Sequence, residues 1–307
     1  MKKLKLPNQS LELLRLQSLN FFLMDFISQN IKVAYLNCRG QTGLNLAKQL
    51  QIENFLQTND IDVAHLQETH FDDETFMECR FISSSYYLIR NNSETRYGTG
   101  SLIRNSFQAD EIVLHHSGRI ILFNIADVTL GNIYLPSGTD GASRASREAL
   151  CSETLPTLLT TSQSSGMIGG DWNCIIDKKD CTRLPEAKMS PCLRRLSQAF
   201  SWKDSYRAIY PAGNCFSHFY FSNGPGATRI DRSYCYGDLV PVEAEYVPVA
   251  FSDHHAYIVT VQTPTQLQKM ISPKSRPFFK VSPDIVSDKL FKARLANNME
   301  IWQPLWR

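Results

Sequence analysis

The stretch Gly-Gly-Asp-Trp-Asn-Cys-Ile-Ile, residues 169–176, places a carboxylate and an amide two positions apart, just ahead of an apolar run. In an extended chain, side chains two positions apart share a face. Asp171 and Asn173 then point one way while Trp172 packs the other way. Asp or Asn beside Gly is also ordinary turn chemistry. The meaning of the stretch therefore depends on what else the chain places at strand ends.

The same arrangement recurs. The run IKVAYLN ends at Asn37, IDVAHLQET carries Glu68 near its end, and VTLGNIYLP carries Tyr134. Asp253 and His254 stand just before HAYIVTVQ, and Asp231 lies inside TRIDRSYCY. Taken singly, each has a plain alternative. Glu68 reads as a solvated strand end or a helix cap, Tyr134 as a packed aromatic, and Ser-Asp-His as a common prelude to a strand. Asp231 is harder to dismiss, because a carboxylate in an apolar run needs a partner. Polar side chains at strand ends can converge on one sheet edge, where rigid elements hold an active site.

The rest of the chain supplies a frame. Residues 44–59 are predicted to be helical, with Leu46 and Leu50, and Ile52 with Phe55 and Leu56, on helical spacings. The runs YYLIRN, GTGSLIRN, DEIVLHH, RIILFNIA and VTLGNIYLP have the pattern of an antiparallel sheet. A helix is expected over about residues 143–159, and a long loop over 177–190 with Pro191 near the next helix start. Later strands fall at CFSHFYF, TRIDRSYCY, AEYVPV and HAYIVTVQ, and SNGPG reads as a hairpin loop. Two facing mixed β-sheets with helices outside, a four-layer α/β/β/α sandwich, would bury this pattern. The expected division is a helical extension over residues 1–30, one large domain over 31–264, and a linker-like tail over 265–307.

Composition narrows the class. The chain has 307 residues, 43% of them hydrophobic, which suffices for a sizeable core. A net charge of +2 argues against a broad basic shell and leaves room for a local basic cleft. Eight cysteines lack Cys-x-x-Cys pairs and zinc-finger spacing, and read as reduced thiols of an intracellular protein, nuclear or cytoplasmic. The apolar N-terminal piece is interrupted by Glu12, Arg15, Asn20 and Asp25, so neither a membrane span nor a signal peptide is expected.

The succession VAYLNCRG, VAHLQETH, GNIYLPS, GGDWN, TRID and FSDHH resembles the endonuclease/exonuclease/phosphatase superfamily over residues 31–263. Within it, LQETH and GDWNCII look most like the apurinic-type endonucleases of LINE (non-LTR) retrotransposons. The tail SRPFFKVSPDIVSDKLFKARLANNMEIW resembles the segment that joins such endonucleases to a reverse transcriptase. No polymerase follows in this chain, so the resemblance implies a fragment or a truncated copy.

Phosphodiester hydrolysis needs an activated water, charge neutralisation on the phosphoryl oxygens, and help for the leaving oxygen. A hard divalent cation prefers oxygen ligands. Mg²⁺ is expected, with Mn²⁺ as a substitute, held by Glu68 and, next to it, Asn37 and Asp253. The lack of a His/Cys cluster argues against zinc. The resemblance implies Asp171 as the group that orients or deprotonates water, with Asn173 bonding the phosphate. It further implies His254 as a donor to the phosphoryl oxygen, Asp231 as the group orienting that ring, and Tyr134 and Ser217 as phosphate contacts. One departure stands out: relatives carry an acidic or amide residue two positions after the first Asn, and this chain carries Arg39. Arg39 cannot ligate a cation and is read as a DNA phosphate contact or as solvated charge. The hairpin SNGPGAT, with Asn223 and Gly224, matches in position a loop used against the DNA groove. Arg229, Arg232, Arg96, Lys178 and Lys179 are further candidate phosphate contacts.

The expected function is Mg²⁺-dependent nicking of one strand of double-stranded DNA, leaving a 3′-hydroxyl that primes reverse transcription. Alternatives are an apurinic-site or exonuclease III-like repair enzyme, a small-molecule phosphatase of the same superfamily, and a catalytically silent retroelement remnant that binds DNA or protein.

Overall fold

The computed structural model describes residues 30–39, 46–70, 85–92, 98–160, 162, 164–221 and 224–263. The tail expected over 265–307, nearly all of the extension expected over 1–30, and the candidates Arg96 and Asn223 lie outside the described residues.

Two six-stranded sheets form the frame. The first runs, in spatial order, β13 (Val240–Val247), β14 (Ala256–Gln262), β1 (Asn30–Asn37), β2 (Val63–Gln67), β4 (Gly98–Arg104) and β3 (Tyr86–Asn92). The second runs β5 (Asp110–Leu114), β6 (Ile120–Ile125), β7 (Val128–Tyr134), β8 (Ser165–Asp171), β12 (Asp231–Tyr236) and β9 (Lys203–Asp204). Both are mixed: β1 pairs with β2 and β7 with β8 in parallel, and the other pairs are antiparallel. A separate hairpin joins β10 (His218–Tyr220) to β11 (Gly226–Thr228).

Strand alternation sorts the side chains. Ile31, Val33 and Tyr35 of β1, Val63 of β2, Val128 and Leu130 of β7, Met167 of β8 and Cys235 of β12 share one buried cluster between the sheets. Their odd-even partners pack outward under helices. Ala34, Leu36, Ala64 and Leu66 meet Ile52 and Leu56 of α1 (Leu46–Thr58). Ile133, Ile168 and Tyr234 meet Leu150, Leu155 and Leu193 on the other side. Those last residues belong to α2 (Gly141–Ala149), which runs through a π-helical turn at Leu150–Thr154 into α3 (Leu155–Leu159), and to α5 (Pro191–Ala199). A short α4 spans Pro185–Lys188, and α6 spans Ser205–Ile209. Asp140 and Ser190 cap α2 and α5 by accepting from Ser143 N and Leu193 N. Burying each aliphatic side chain contributes about 1.5–3 kcal/mol, so both faces of each sheet are committed. The result is the expected four-layer sandwich.

The gap between the sheets changes character along its length. The inward residues of β1 read Ile31, Val33, Tyr35, Asn37; those of β7 read Val128, Leu130, Asn132, Tyr134; β8 ends inward on Asp171. One end of the gap is therefore apolar and the other polar. Glycine lets the sheets close there: a Cβ on Gly169 would stand 2.5 Å from the Tyr35 ring. At Gly170, φ is +138° and a Cβ would meet the Ile133 carbonyl oxygen at 1.9 Å.

Three expectations need correction. The run of five strands from YYLIRN to VTLGNIYLP does not form one sheet: β3 and β4 join the first, and β5 to β7 the second. Leu50 is 56% exposed and takes no part in the core. Strand β8 stops at Asp171, and Asn173 lies beyond it in the left-handed region at φ 49°. Asp171 and Asn173 do share a side, but a tight turn achieves it rather than strand pleating. Trp172 packs away from them, fully buried, against Trp202 and Tyr234.

The seven described cysteines are unpaired. Burial pushes the Cys38 and Cys235 thiols up to about 12 and Cys174 to about 11, so these sulfurs stay protonated and inert. Among the described residues no helix is long and apolar enough to cross a membrane.

Candidate active site

The polar end of the inter-sheet gap opens into a cavity of about 370 Å³, lined in part by Asn37, Arg39, Glu68, Asp171, Asn173, His218, Asp253 and His254. The first sheet supplies Asn37 from the end of β1 and Glu68 just past β2, held at φ 52°. The second supplies Tyr134 from β7, Asp171 from β8 and Asp231 from β12. Register lines these three up, with Tyr134 opposite Asp171 and Asp171 opposite Asp231.

Hydrogen bonds join the two sheets here. Asn37 Nδ2 donates to Glu68 Oε1 at 3.2 Å and to Asp171 Oδ2 at 3.0 Å. The Tyr134 hydroxyl donates to Glu68 Oε1 at 2.9 Å. Asp171 Oδ1 accepts from the Asn173 backbone at 3.0 Å, and Oδ2 from Asn173 Nδ2 at 3.0 Å. Asn173 Nδ2 also donates to the Leu135 carbonyl at 2.9 Å, which fixes the turn after β8. His254 Nδ1 pairs with Asp231 Oδ2 at 2.8 Å. Ligand atoms of Asp171, Asp231 and His254 all lie within 4.8 Å of one another.

Electrostatics follow from this crowding. Asp171 is pushed up to about 7, first by burial and then by the nearby Asp231 carboxylate; His254 opposes the rise. Burial pulls His254 down, but the charge and hydrogen bond of Asp231 outweigh it, with help from Asp171, and lift the imidazole to about 9. Burial, then the Glu68 charge, raises the Tyr134 phenol, so it acts only as a neutral donor. At neutral pH the site therefore holds an imidazolium beside a carboxylate poised near its own titration.

A divalent cation fits this donor set. Glu68, Asp171 and the Asn37 amide present hard oxygens, and among the described residues no thiol lines the cavity. Among the described residues Asp231 Oδ1 is buried without a hydrogen-bond partner, and the Asp231 and Glu68 carboxylates add negative charge beside the buried Asp171. Asp253 stands at the rim, 39% exposed, its Oδ2 3.6 Å from Arg39 Nε.

Several sequence candidates sit elsewhere than expected. Arg229 is buried and cannot reach DNA. Its guanidinium forks onto Asp180 at 2.9 and 3.1 Å and onto Asp204 at 3.0 and 2.6 Å. Arg232 is also fully buried, because alternation along β12 turns it opposite to Asp231; it donates to the Cys174 carbonyl and lies 3.5 Å from Asp180. Ser217 is sealed from the cavity. Its Oγ accepts from the backbone of Ile230 at 3.1 Å and Asp231 at 3.0 Å, so it positions Asp231 rather than touching a phosphate. Lys178 and Lys179 are exposed and paired with Glu186 and Asp177. Gly224 takes φ +98° in the hairpin, its carbonyl accepting from Arg183. Arg39 is 60% exposed at the cavity.

The sequence reading missed His218. Its ring lies 4.6 Å from that of His254, and it lines the cavity. Burial, then the His254 charge, lowers it to about 4, so it is neutral. It stands one position from Ser217, and on a strand that single step exchanges a sealed side chain for one facing the site. Lys188 and the loop Ser137–Thr139 line the cavity too, with no sequence signal beyond ordinary loop composition.

The fold is similar to that of many solved structures, three of which come from different organisms. An AP endonuclease (LMAP) from Leishmania major matches with a TM-score of 0.61 at 19% identity, covering 77% of this chain and 89% of that one. TDP2 from Caenorhabditis elegans gives 0.57 at 20%, covering 78% and 76%. The 3′ phosphatase NExo from Neisseria, bound to product DNA hairpin, gives 0.57 at 19%, covering 76% and 99%. No curated protein matches the chain. The model of the endonuclease/exonuclease/phosphatase family matches residues 34–254, the span that carries every described residue of the site, and the chain belongs to that family.

Proposed function

We propose that the protein is a Mg²⁺-dependent endonuclease that nicks one strand of double-stranded DNA and leaves a 3′-hydroxyl. The observation that carries this reading is the convergence, in one cavity, of carboxylates from both sheets with an imidazole lifted to about 9. Glu68 would hold the cation, with Asn37 and Asp253 beside it. When bound, the cation neutralises charge on the phosphoryl oxygens. Asp171, kept in place by three N–H donors, orients water and takes its proton. Asn173 would bond the phosphate by releasing one of the two acceptors its amide nitrogen now holds, the Leu135 carbonyl or Asp171 Oδ2. His254, held by Asp231, donates to a phosphoryl oxygen, and Tyr134 would do so from the second sheet by turning its one O–H away from Glu68 Oε1. Each such contact contributes on the order of 3 kcal/mol to the transition state. The motifs LQETH and GDWNCII favour a LINE-type enzyme whose nick primes reverse transcription.

Supercoiled plasmid with Mg²⁺ tests this. Relaxed circles with extendable 3′ ends are expected, and EDTA should prevent them. Glu68→Ala and His254→Ala should each lower the rate at least 100-fold while the protein stays folded. Cleavage that survives both substitutions would overturn the assignment. Hydrolysis of phosphomonoesters with intact plasmid would favour the phosphatase alternative.

A further inference from the structure

We infer that Asn132 and Gln67 are positioning residues that set the distance between the two halves of the site, an inference that rests on the proposed nuclease reading. Asn132 lies on the inward face of β7, two residues before Tyr134, fully buried. Each hydrogen bond of its side chain crosses to the other sheet. Nδ2 donates to the Leu66 carbonyl at 3.0 Å and to the Gly100 carbonyl at 2.8 Å. Oδ1 accepts from Gln67 Nε2 at 2.7 Å. Leu66 and Gly100 face each other across β2 and β4, so one amide nitrogen grips both strands.

This clamp adjoins the cross-sheet contacts of the site. Gln67 precedes Glu68 and pairs in register with Asn37. Tyr134 to Glu68 and Asn37 to Asp171 bridge the same gap just beyond it. Stability alone does not account for the clamp. Among the described residues Gln67 Oε1 is buried without a partner, a cost of about 1–3 kcal/mol that an aliphatic side chain would not incur. What the amides supply is a fixed separation, directional where packing is not. The reacting groups come from opposite sheets, and a misplacement of about 1 Å can cost roughly 100-fold in rate.

The test compares Gln67→Leu and Asn132→Leu with Val128→Ala, which opens a cavity at the apolar end of the same inward face. Melting temperature, and kcat and KM for nicking a short duplex with Mg²⁺, are measured for each. Gln67→Leu should lower kcat at least tenfold with KM within twofold of wild type, and melt within a few degrees of it. Val128→Ala should melt lower yet keep its kcat below the transition. If Asn132→Leu does not fold, Gln67→Leu carries the comparison. A kcat for Gln67→Leu within twofold of wild type, or an equal loss in Val128→Ala, would overturn the inference. Crystals of Gln67→Leu give a readout independent of activity. The gap between Tyr134 Oη and Glu68 should widen by about 1 Å, and an unchanged gap would count against the clamp. An inactive wild-type enzyme would remove the nuclease reading and leave this second measurement to decide.

Discussion

At the scale of single residues, the decisive pair is Asp231 and His254. A buried imidazole would ordinarily lose its proton, and the carboxylate 2.8 Å away reverses that. The folded pKa lies above the unfolded value of about 6.5. The stability it contributes is therefore fully present below that value and is lost as pH rises through about 9. Asp231→Asn should flatten this alkaline slope in thermal melts recorded from pH 6 to 10. On the proposed mechanism the same groups set activity. The rate should rise as Asp171 ionises near pH 7 and fall as His254 deprotonates near 9, and Asp231→Asn should move the alkaline limb down. A bound cation favours the Asp171 carboxylate, so the acid limb should shift below 7 as Mg²⁺ is raised. An alkaline limb unmoved by Asp231→Asn would mean that another group limits the rate. Arg39 is an exposed cation at the cavity; Arg39→Ala should lower the slope of log affinity against log salt by about 1 in DNA binding.

At the scale of elements, the loop before α4 and the strand β12 are tied together through charge. Asp180 is buried against Arg229, Arg207 and Arg232. Burial works against its ionisation, and the hydrogen bonds and charge of Arg229 outweigh that, holding Asp180 below the usual carboxylate range. Its contribution is present above the unfolded pKa of about 4 and is lost as pH falls through the lower folded value. Arg229→Leu should cost about 3 kcal/mol by removing the guanidinium that bridges buried Asp180 and half-buried Asp204, while leaving the salt slope of DNA binding unchanged. A reduced slope with normal stability would restore Arg229 as a phosphate contact. This cluster also shows where sequence reading stops. TRIDRSYCY announces a strand, and alternation separates Asp231 from Arg232. Nothing local says that the face turned away from the site is sealed by Asp180, more than fifty residues earlier. Asn173 shows a related limit: GGDWN reads equally well as strand or turn, and only the left-handed backbone beyond Asp171 decides between them.

At the scale of the whole molecule, the site exists because two sheets meet. Asn37, Glu68, Tyr134, Asp171, Asp231 and His254 were legible because each interrupts or ends an apolar run, and such interruptions are conspicuous in a strand-rich chain. The pairing of strands was not legible. The run from Tyr86 to Tyr134 is locally uniform, and its division between sheets depends on long-range register. Asn132 and Gln67 lie inside apolar runs as inconspicuous amides, and only the partners across the gap give them a role. On the proposed function, groups from both sheets surround one hard cation and one phosphate. Anomalous diffraction from crystals grown with Mn²⁺ and a short DNA duplex tests it most directly. One peak should appear within about 2.2 Å of a Glu68 oxygen, with a phosphate between it and His254. A cavity free of metal, or a phosphate bound away from His254, would contradict it.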